Sequence, residues 1–350
     1  MPPADAAPLP AFPGMPRRVL VTGAAGVFGG ALVRRLLALP GVEQVVAFDI
    51  RPPPGPPADA RLRPVVADLR RPPEDLLAGI DAVAHFAFRL RPSHDAAADR
   101  ALNVEATAAL LDACTSAGVR HFVYSSSAVV YGAQPGPAVP HPETDPLDPV
   151  PGFRYGEHKV EVERLLAAFA AAHPATSVTV LRPCVVLAPG AANFVTDLLA
   201  LRWLPVTAGD DPEMQFLHID DLVTAVLGIL ERRAAGAFNL AGEGTIRWRE
   251  VIRLGGSRPL PFPPRLLAGL ANLTWRARLQ SRSPAGGLEM IRYPWLADTS
   301  RARTLLGWQP RYSSRRVVEA WREGEPGAGI PGDNPDTAGR RPDAGSPRER

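Results

Sequence analysis

Val19-Leu20-Val21-Thr22-Gly23-Ala24-Ala25-Gly26-Val27-Phe28-Gly29-Gly30 passes from an apolar run through a glycine-punctuated turn into an amphipathic segment that continues to Leu39. The pattern predicts a short buried strand, a tight turn and a helix. Gly23 permits the turn, Gly26 lets backbone approach a pyrophosphate, and Gly29 lets the helix lie close on the strand. The helix start presents the free N–H groups of Val27 and Phe28, with a positive dipole end behind them, to phosphate oxygens. A glycine spacing is weak alone. Here a second apolar strand, Val45-Val46-Ala47-Phe48, follows and ends in Asp49, twenty positions beyond Gly29. A carboxylate there accepts hydrogen bonds from the adenosine ribose of NAD and repels the 2′-phosphate of NADP. Arg51, two positions on, is within reach of such a phosphate, so NADP stays open as the second cofactor.

Working outward, strands are expected near 18–22, 44–49, 63–67, 81–86, 120–125 and 177–182, and helices near 28–39, 98–117 and 155–172. This alternation predicts an α/β fold, a doubly wound parallel sheet with helices on both faces. After Pro183 the pattern is broken by Pro and Gly and holds short helices, as at 220–231 and 314–322. It predicts a smaller, partly helical C-terminal lobe over residues 184–324, closing on the carboxyl edge of the sheet where substrates bind, with some segments returning to the 17–183 domain. Residues 1–16 and 325–350, rich in Pro, Gly, Ala and Arg, are expected to be disordered, and Met15 is a plausible true start.

The 350 residues carry a net charge of +3, with 46% hydrophobic residues and 40 prolines. Lysine is almost absent and the arginines are scattered, which argues against a nucleic-acid footprint. No apolar run reaches membrane-span length and no secretory signal opens the chain, so a cytoplasmic protein is expected. Cys114 and Cys184 fit no metal or redox spacing and read as buried thiols, and no metal site is expected.

Tyr155-Gly156-Glu157-His158-Lys159 opens a helix and sets a phenol and an amine on one face. A cation beside the phenol and the helix N-terminus are both expected to lower its pKa, which suits proton exchange during hydride transfer to or from an alcohol or ketone. Ser125-Ser126-Ser127 ends the strand His121 to Tyr124. Ser127 is thereby placed to hydrogen-bond the reacting oxygen.

With these motifs the chain resembles the extended short-chain dehydrogenase/reductase superfamily in its NAD-dependent epimerase/dehydratase branch, over residues 17–322. Further stretches carry the resemblance: Ala67-Asp68-Leu69; His85-Phe86-Ala87; Asn103-Val104-Glu105-Ala106-Thr107; Leu181-Arg182-Pro183; Phe216-Leu217-His218-Ile219-Asp220-Asp221; Phe238-Asn239-Leu240-Ala241-Gly242; Asp298-Thr299-Ser300 and Leu306-Gly307-Trp308. The resemblance implies a Rossmann-type fold. It implies Tyr155 as acid/base, Lys159 as its partner and ribose ligand, and Ser127 as the substrate-oxygen ligand. It sets Asp68 and Leu69 against the adenine and Ala87 beside the nicotinamide ribose. Asn103 is left between a helix kink and a proton relay. His218 and Asp221 are expected to be structural, with Asp220 or Asp221 as an N-cap. Homodimerisation through helices near 98–117 and 155–172 is the family's habit.

Nucleotide-sugar members commonly carry an arginine where this chain has Met214, and often an Arg-Pro-Gly-Asp string where it has Ile291-Arg292-Tyr293-Pro294-Trp295. Arg202 and Arg292 are the candidates to replace the lost phosphate clamp. Trp203, Leu204, Phe262, Leu266, Leu267, Leu270, Trp275, Tyr293 and Trp295 are expected to be mostly lobe core. Three functions stay open: a nucleotide-sugar epimerase or dehydratase, a net dehydrogenase or reductase of a less polar, hydroxysteroid- or flavonol-type substrate, and a non-catalytic dinucleotide-binding regulator.

Overall fold

Side chains alternate along each central strand, and the two sets belong to different cores. Val19 and Val21 face one side of the sheet with Val45, Ala47, Ala82 and Ala84; Leu20 faces the other with Val46, Phe48 and Val83. A strand buried on both faces needs helices above and below it. The computed structural model, describing residues 12–53, 59–191, 193–280 and 285–324, has that arrangement. Strands β1 (Arg18–Thr22), β2 (Gln44–Asp49), β3 (Leu62–Val66), β4 (Ala82–His85), β5 (His121–Ser125) and β6 (Ser177–Pro183) join Gly236–Leu240 in a seven-stranded sheet. Its order is Gly236–Leu240, β6, β5, β4, β1, β2, β3, with every pairing parallel. The chain winds both ways from β1, so the carboxyl ends of β1 and β4 diverge and leave a crevice between them.

Helix α1 (Val27–Leu37) covers one face together with Ile219–Arg232. The other face carries α2 (Ala96–Arg100), a π-helical turn Ala101–Glu105, α3 (Ala106–Ser116) and α4 (Arg154–Ala172). Six sheet strands lie where the sequence places them. The seventh, Gly236–Leu240, is not among the expected strands: it follows an irregular stretch, and its Asn239 breaks the apolar run. The single helix expected at 98–117 is interrupted by the π turn. The structure also corrects the arm at its near end. Met15 is buried in the core and Phe12 packs against it. The arm before residue 12 and the tail after 324 lie outside the described residues.

Beyond β6 the lobe builds its own core around Trp248, Phe216, Met214 and Trp295, which also receives Val129, Val130 and Phe153 from the sheet's carboxyl edge. Three two-stranded pieces belong to it: Val185–Leu187 with Phe216–His218, Glu213–Met214 with Ile246–Arg247, and Trp203–Thr207 with Arg258–Phe262. The lobe therefore shares packing with the loops that end β5 and begin α4. Both cysteines are buried and free, and burial raises both thiol pKa values. Among the described residues no helix is long and apolar enough to cross a membrane.

Candidate active site

The glycine turn divides into two kinds of position. Gly23 has φ +72°, and a Cβ there would lie 2.7 Å from the Ala87 amide nitrogen. A Cβ on Gly29 would lie 2.3 Å from the Gly23 carbonyl oxygen. The protein's own backbone excludes side chains at both. Gly26 differs: its φ of −80° suits any residue, and a Cβ would meet only the Gly23 oxygen, at 3.1 Å. The fold tolerates a side chain there with slight adjustment. Gly26 N-caps α1 without any side-chain cap, and no acidic residue stands in the first helical turn. The leading N–H groups and the positive helix end are thus left for an anion. Asp49 holds the turn in place, accepting from the Ala25 amide at 3.0 Å and from the Arg51 amide at 3.1 Å.

Around the turn the expected residues gather at the crevice edge. Asp68 is locked by Arg70, whose amide and guanidinium both donate to it. These bonds hold its pKa down near 2. Leu69 is buried. The Ala87 amide donates to Thr22 Oγ1 at 3.2 Å. That hydroxyl also bonds His85 Nδ1 at 2.6 Å, and His85 Nε2 bonds Thr107 at 3.0 Å. This buried chain ties β1 to β4 and α3. Burial keeps His85 neutral, with its pKa lowered to about 3.

Across the crevice, Ser127, Tyr155 and Lys159 come together. Ser127 N-caps the short 3₁₀ turn Ala128–Tyr131; its hydroxyl donates to the Pro183 carbonyl at 3.4 Å and lies near enough to the Tyr155 phenol to favour its charged form. Lys159 Nζ donates to the Ser125 carbonyl at 2.6 Å and lies 3.6 Å from the Phe88 ring centroid and 4.6 Å from that of Tyr124. Phe88 meets Tyr155 edge-on at 5.5 Å. The expected lowering of the phenol pKa is not what the protein alone gives. Burial raises Tyr155 to about 12, against a smaller downward pull from the Ser127 hydroxyl. Burial likewise lowers Lys159 well below an ordinary lysine, against a smaller upward effect of Glu163. Desolvation outweighs the favourable interactions around both groups.

Asn103 sits in the π turn, a distortion common at functional sites. Its Oδ1 accepts from the Arg89 amide at 2.8 Å, and its Nδ2 lies 3.2 Å from His158 Nδ1 on α4. It clamps the loop carrying Phe88 to the helix carrying Tyr155. Sequence reasoning overlooked the support beneath this cluster. Arg182 pairs with Glu163 in a buried bridge of 2.6 Å and donates to Tyr131 Oη at 2.8 Å; Tyr131 donates to Asn239 at 2.8 Å. Ser126 also donates to Glu163. The signal was available: Glu163 lies four residues beyond Lys159 on one helix, and Arg182 interrupts an apolar strand.

In the lobe, His218, and neither aspartate, N-caps Ile219–Arg232. Its ring stacks on Tyr312 at 3.9 Å. Asp221 accepts from the backbone amides of Arg311 and Tyr312. Met214 is buried in the lobe core. Arg292 is engaged by Asp210 at 2.9 Å and Glu289 at 3.0 Å, with its side chain 18% exposed. Of the lobe's large apolar residues, Leu204, Leu267 and Trp295 are core, whereas Trp203, Leu266 and Leu270 are exposed. Among the described residues no cluster of His, Cys, Asp and Glu could hold a metal.

A glycine turn at the switch point facing a Ser–Tyr–Lys cluster defines an extended short-chain dehydrogenase/reductase type of fold and site. The model of the NAD dependent epimerase/dehydratase family matches residues 19–241, and the chain belongs to that enzyme family. The Mycobacterium tuberculosis protein Rv0501 is 31% identical over 330 residues, covering 91% of this chain and 86% of its own length. A 3-diazoavenalumate denitrifying reductase of Streptomyces is 32% identical over 329 residues, covering 88% and 98%. Among solved structures, MoeE5 in complex with UDP-glucuronic acid and NAD superposes with a TM-score of 0.70 at 30% identity, covering 88% of this chain and 98% of its own.

Proposed function

We propose that this protein uses NAD to exchange a hydride at a carbinol or ketone carbon of a nucleotide sugar, with Tyr155 as acid/base. The observation that carries the reading is a single amine. Lys159 is the only lysine of the chain, and it is 3% exposed beside Tyr155. Arginine serves everywhere else on this protein. A compact amine with a movable pKa is what a guanidinium cannot replace.

The crevice fits the cofactor. The N–H groups of Val27 and Phe28 and the open side of Gly26 suit its pyrophosphate, Asp49 its adenosine ribose, Asp68 and Leu69 its adenine, and Ala87 and Lys159 its nicotinamide ribose. Arg51 keeps NADP as the lesser option. NAD, when bound, supplies the hydride acceptor or donor. The chain supplies the proton and its geometry. Ser127 Oγ donates to the substrate oxygen and orients it toward Tyr155 Oη. The protonated phenol, favoured by burial, gives its proton to a carbonyl oxygen. In the opposite direction, positive charge brought beside the phenol makes it a better proton acceptor. The Asn103 clamp and the Glu163–Arg182 bridge position these groups from behind. A homodimer through α3 and α4 follows from the family resemblance, and a cytoplasmic location from the sequence.

One observation favours a second reading, net reduction of a less polar carbonyl or related group. Met214 stands buried where nucleotide-sugar members carry an arginine, Arg292 is already paired, and the Streptomyces relative is named a reductase. The spectrum of the purified protein and its released cofactor separate the two. Retained stoichiometric NAD supports internal recycling; an empty protein that consumes NADH on an apolar carbonyl supports net reduction. Both readings predict that Tyr155→Phe keeps NAD affinity while turnover falls by roughly two to four orders of magnitude. Full activity of Tyr155→Phe on whichever substrate turns over contradicts both.

A further inference from the structure

The helix Pro264–Arg276 buries little of itself. Leu267 alone is buried, while Leu266, Leu270 and Leu273 are 51%, 42% and 63% exposed. Their spacing of four and three puts them in one stripe. Trp275 lies nine residues beyond Leu266, about half a turn away in azimuth at 3.6 residues per turn. Its ring packs on His94 of the loop after β4, centroids 4.5 Å apart. The helix therefore seats its Trp275 face on the sheet domain and turns the leucine stripe outward. Leu279 just beyond it, Leu260 of Arg258–Phe262 and Trp203 of the paired strand Trp203–Thr207 are exposed too. Six of the eleven exposed large apolar side chains among the described residues thus lie in this one unit or, for Leu279, three residues beyond it.

The charge along this stretch of the chain has one sign. From residue 251 to 288 the sequence holds six arginines and neither Asp nor Glu. Arg265, Arg276 and Arg278 are exposed, and the Arg258 guanidinium lies 5.5 Å from the Trp203 ring centroid. An outward leucine stripe with an arginine-only border is the pattern of a helix lying in a membrane interface. A second copy of the same face would set arginine against arginine. A nucleic acid would leave the leucines in water.

We infer that the unit Trp203–Thr207, Arg258–Phe262 and Pro264–Arg276 docks this enzyme on an anionic lipid surface. The leucines enter the headgroup boundary and the arginines pair with lipid phosphates. This docking is independent of the hydride-transfer reading.

The test is co-sedimentation of the full chain with vesicles of phosphatidylglycerol in phosphatidylcholine, and of phosphatidylcholine alone. The expected result is binding to the anionic vesicles only, weakened several-fold as salt shortens the Debye length. The double substitution Leu270→Glu and Leu273→Glu should weaken binding by about tenfold or more, with unchanged melting temperature because both positions are exposed. Arg265→Gln with Arg276→Gln should remove the preference for anionic lipid. Absence of binding at low salt, equal binding to both vesicle types, or binding indifferent to the leucine substitutions would overturn the inference. So would a dimer that the leucine substitutions dissolve in a protein that ignores vesicles.

Discussion

The two walls of the crevice are made of different material. The wall at the end of β1 is backbone: glycines, the leading amides of a helix, and one carboxylate, Asp49, bracing the turn. The wall at the end of β5 is side chain: Ser127, Tyr155 and Lys159, packed under Phe88 and standing on the Glu163–Arg182–Tyr131–Asn239 network. A backbone wall is rigid through local geometry and can present several N–H groups to a diphosphate. A side-chain wall can move a proton, but its groups need support from distant parts of the chain. Each wall should therefore fail in its own way.

The largest effect belongs to the side-chain wall. Glu163→Ala leaves the Arg182 guanidinium buried without its carboxylate and should cost about 3–5 kcal/mol, read by urea unfolding. Adding Arg182→Met should recover part of that loss by removing the stranded charge. A single variant within about 0.5 kcal/mol of wild type would show the bridge to be dispensable.

On the backbone wall, Gly29→Ala forces a Cβ toward the Gly23 carbonyl and should cost about 1–3 kcal/mol as an overpacked contact. Ser127→Ala, the matching alanine variant on the side-chain wall, loses the N-cap bond from the Val129 amide and the bond to the Pro183 carbonyl, both long at 3.4 Å and together worth about 1 kcal/mol. Melting curves of the two variants sharpen the contrast. A Gly29→Ala protein that melts with the wild type would show the β1 turn to be looser than its geometry indicates.

A smaller effect appears with pH. His121 is buried, and its pKa is lowered from 6.5 to about 4, chiefly by burial. A base with a depressed folded pKa contributes stability that is complete above 6.5 and lost as pH falls toward 4. His85 acts the same way, over a window reaching about 3. Asp221, raised from 3.8 to about 6 mainly by burial, acts oppositely: its contribution is complete below 3.8 and lost as pH rises through 6. Between pH 6 and 4 the two histidines outweigh the one aspartate, so stability should fall with acid. His121→Gln should reduce that slope by about 1.4 kcal/mol per pH unit. Parallel slopes for variant and wild type would rule out His121 as a contributor.

The same contrast explains what the sequence disclosed. The β1 turn is legible because its chemistry is local: glycine spacing, strand and carboxylate lie within 31 residues from Val19 to Asp49. Tyr155 and Lys159 are legible because i and i+4 share a helix face. Their pKa values are not, because burial comes from Phe88 and Tyr124, far away in the chain. Gly236–Leu240 escapes because a strand joining the sheet's edge carries little local signal beyond a short apolar run. The outward stripe of Pro264–Arg276 reads as core in the sequence because apolar spacing marks a face without saying what covers it.

The glycine turn separates folding from binding most directly. The fold forbids a side chain at Gly23 and Gly29, yet leaves room at Gly26, the position we propose for the pyrophosphate. Titration calorimetry of NAD into Gly26→Val, alongside its melting curve, measures both halves of that statement. The predicted result is a folded protein, destabilised by about 1 kcal/mol from the tight contact at Gly23, with NAD binding lost. A folded Gly26→Val protein that binds NAD as tightly as wild type would contradict it.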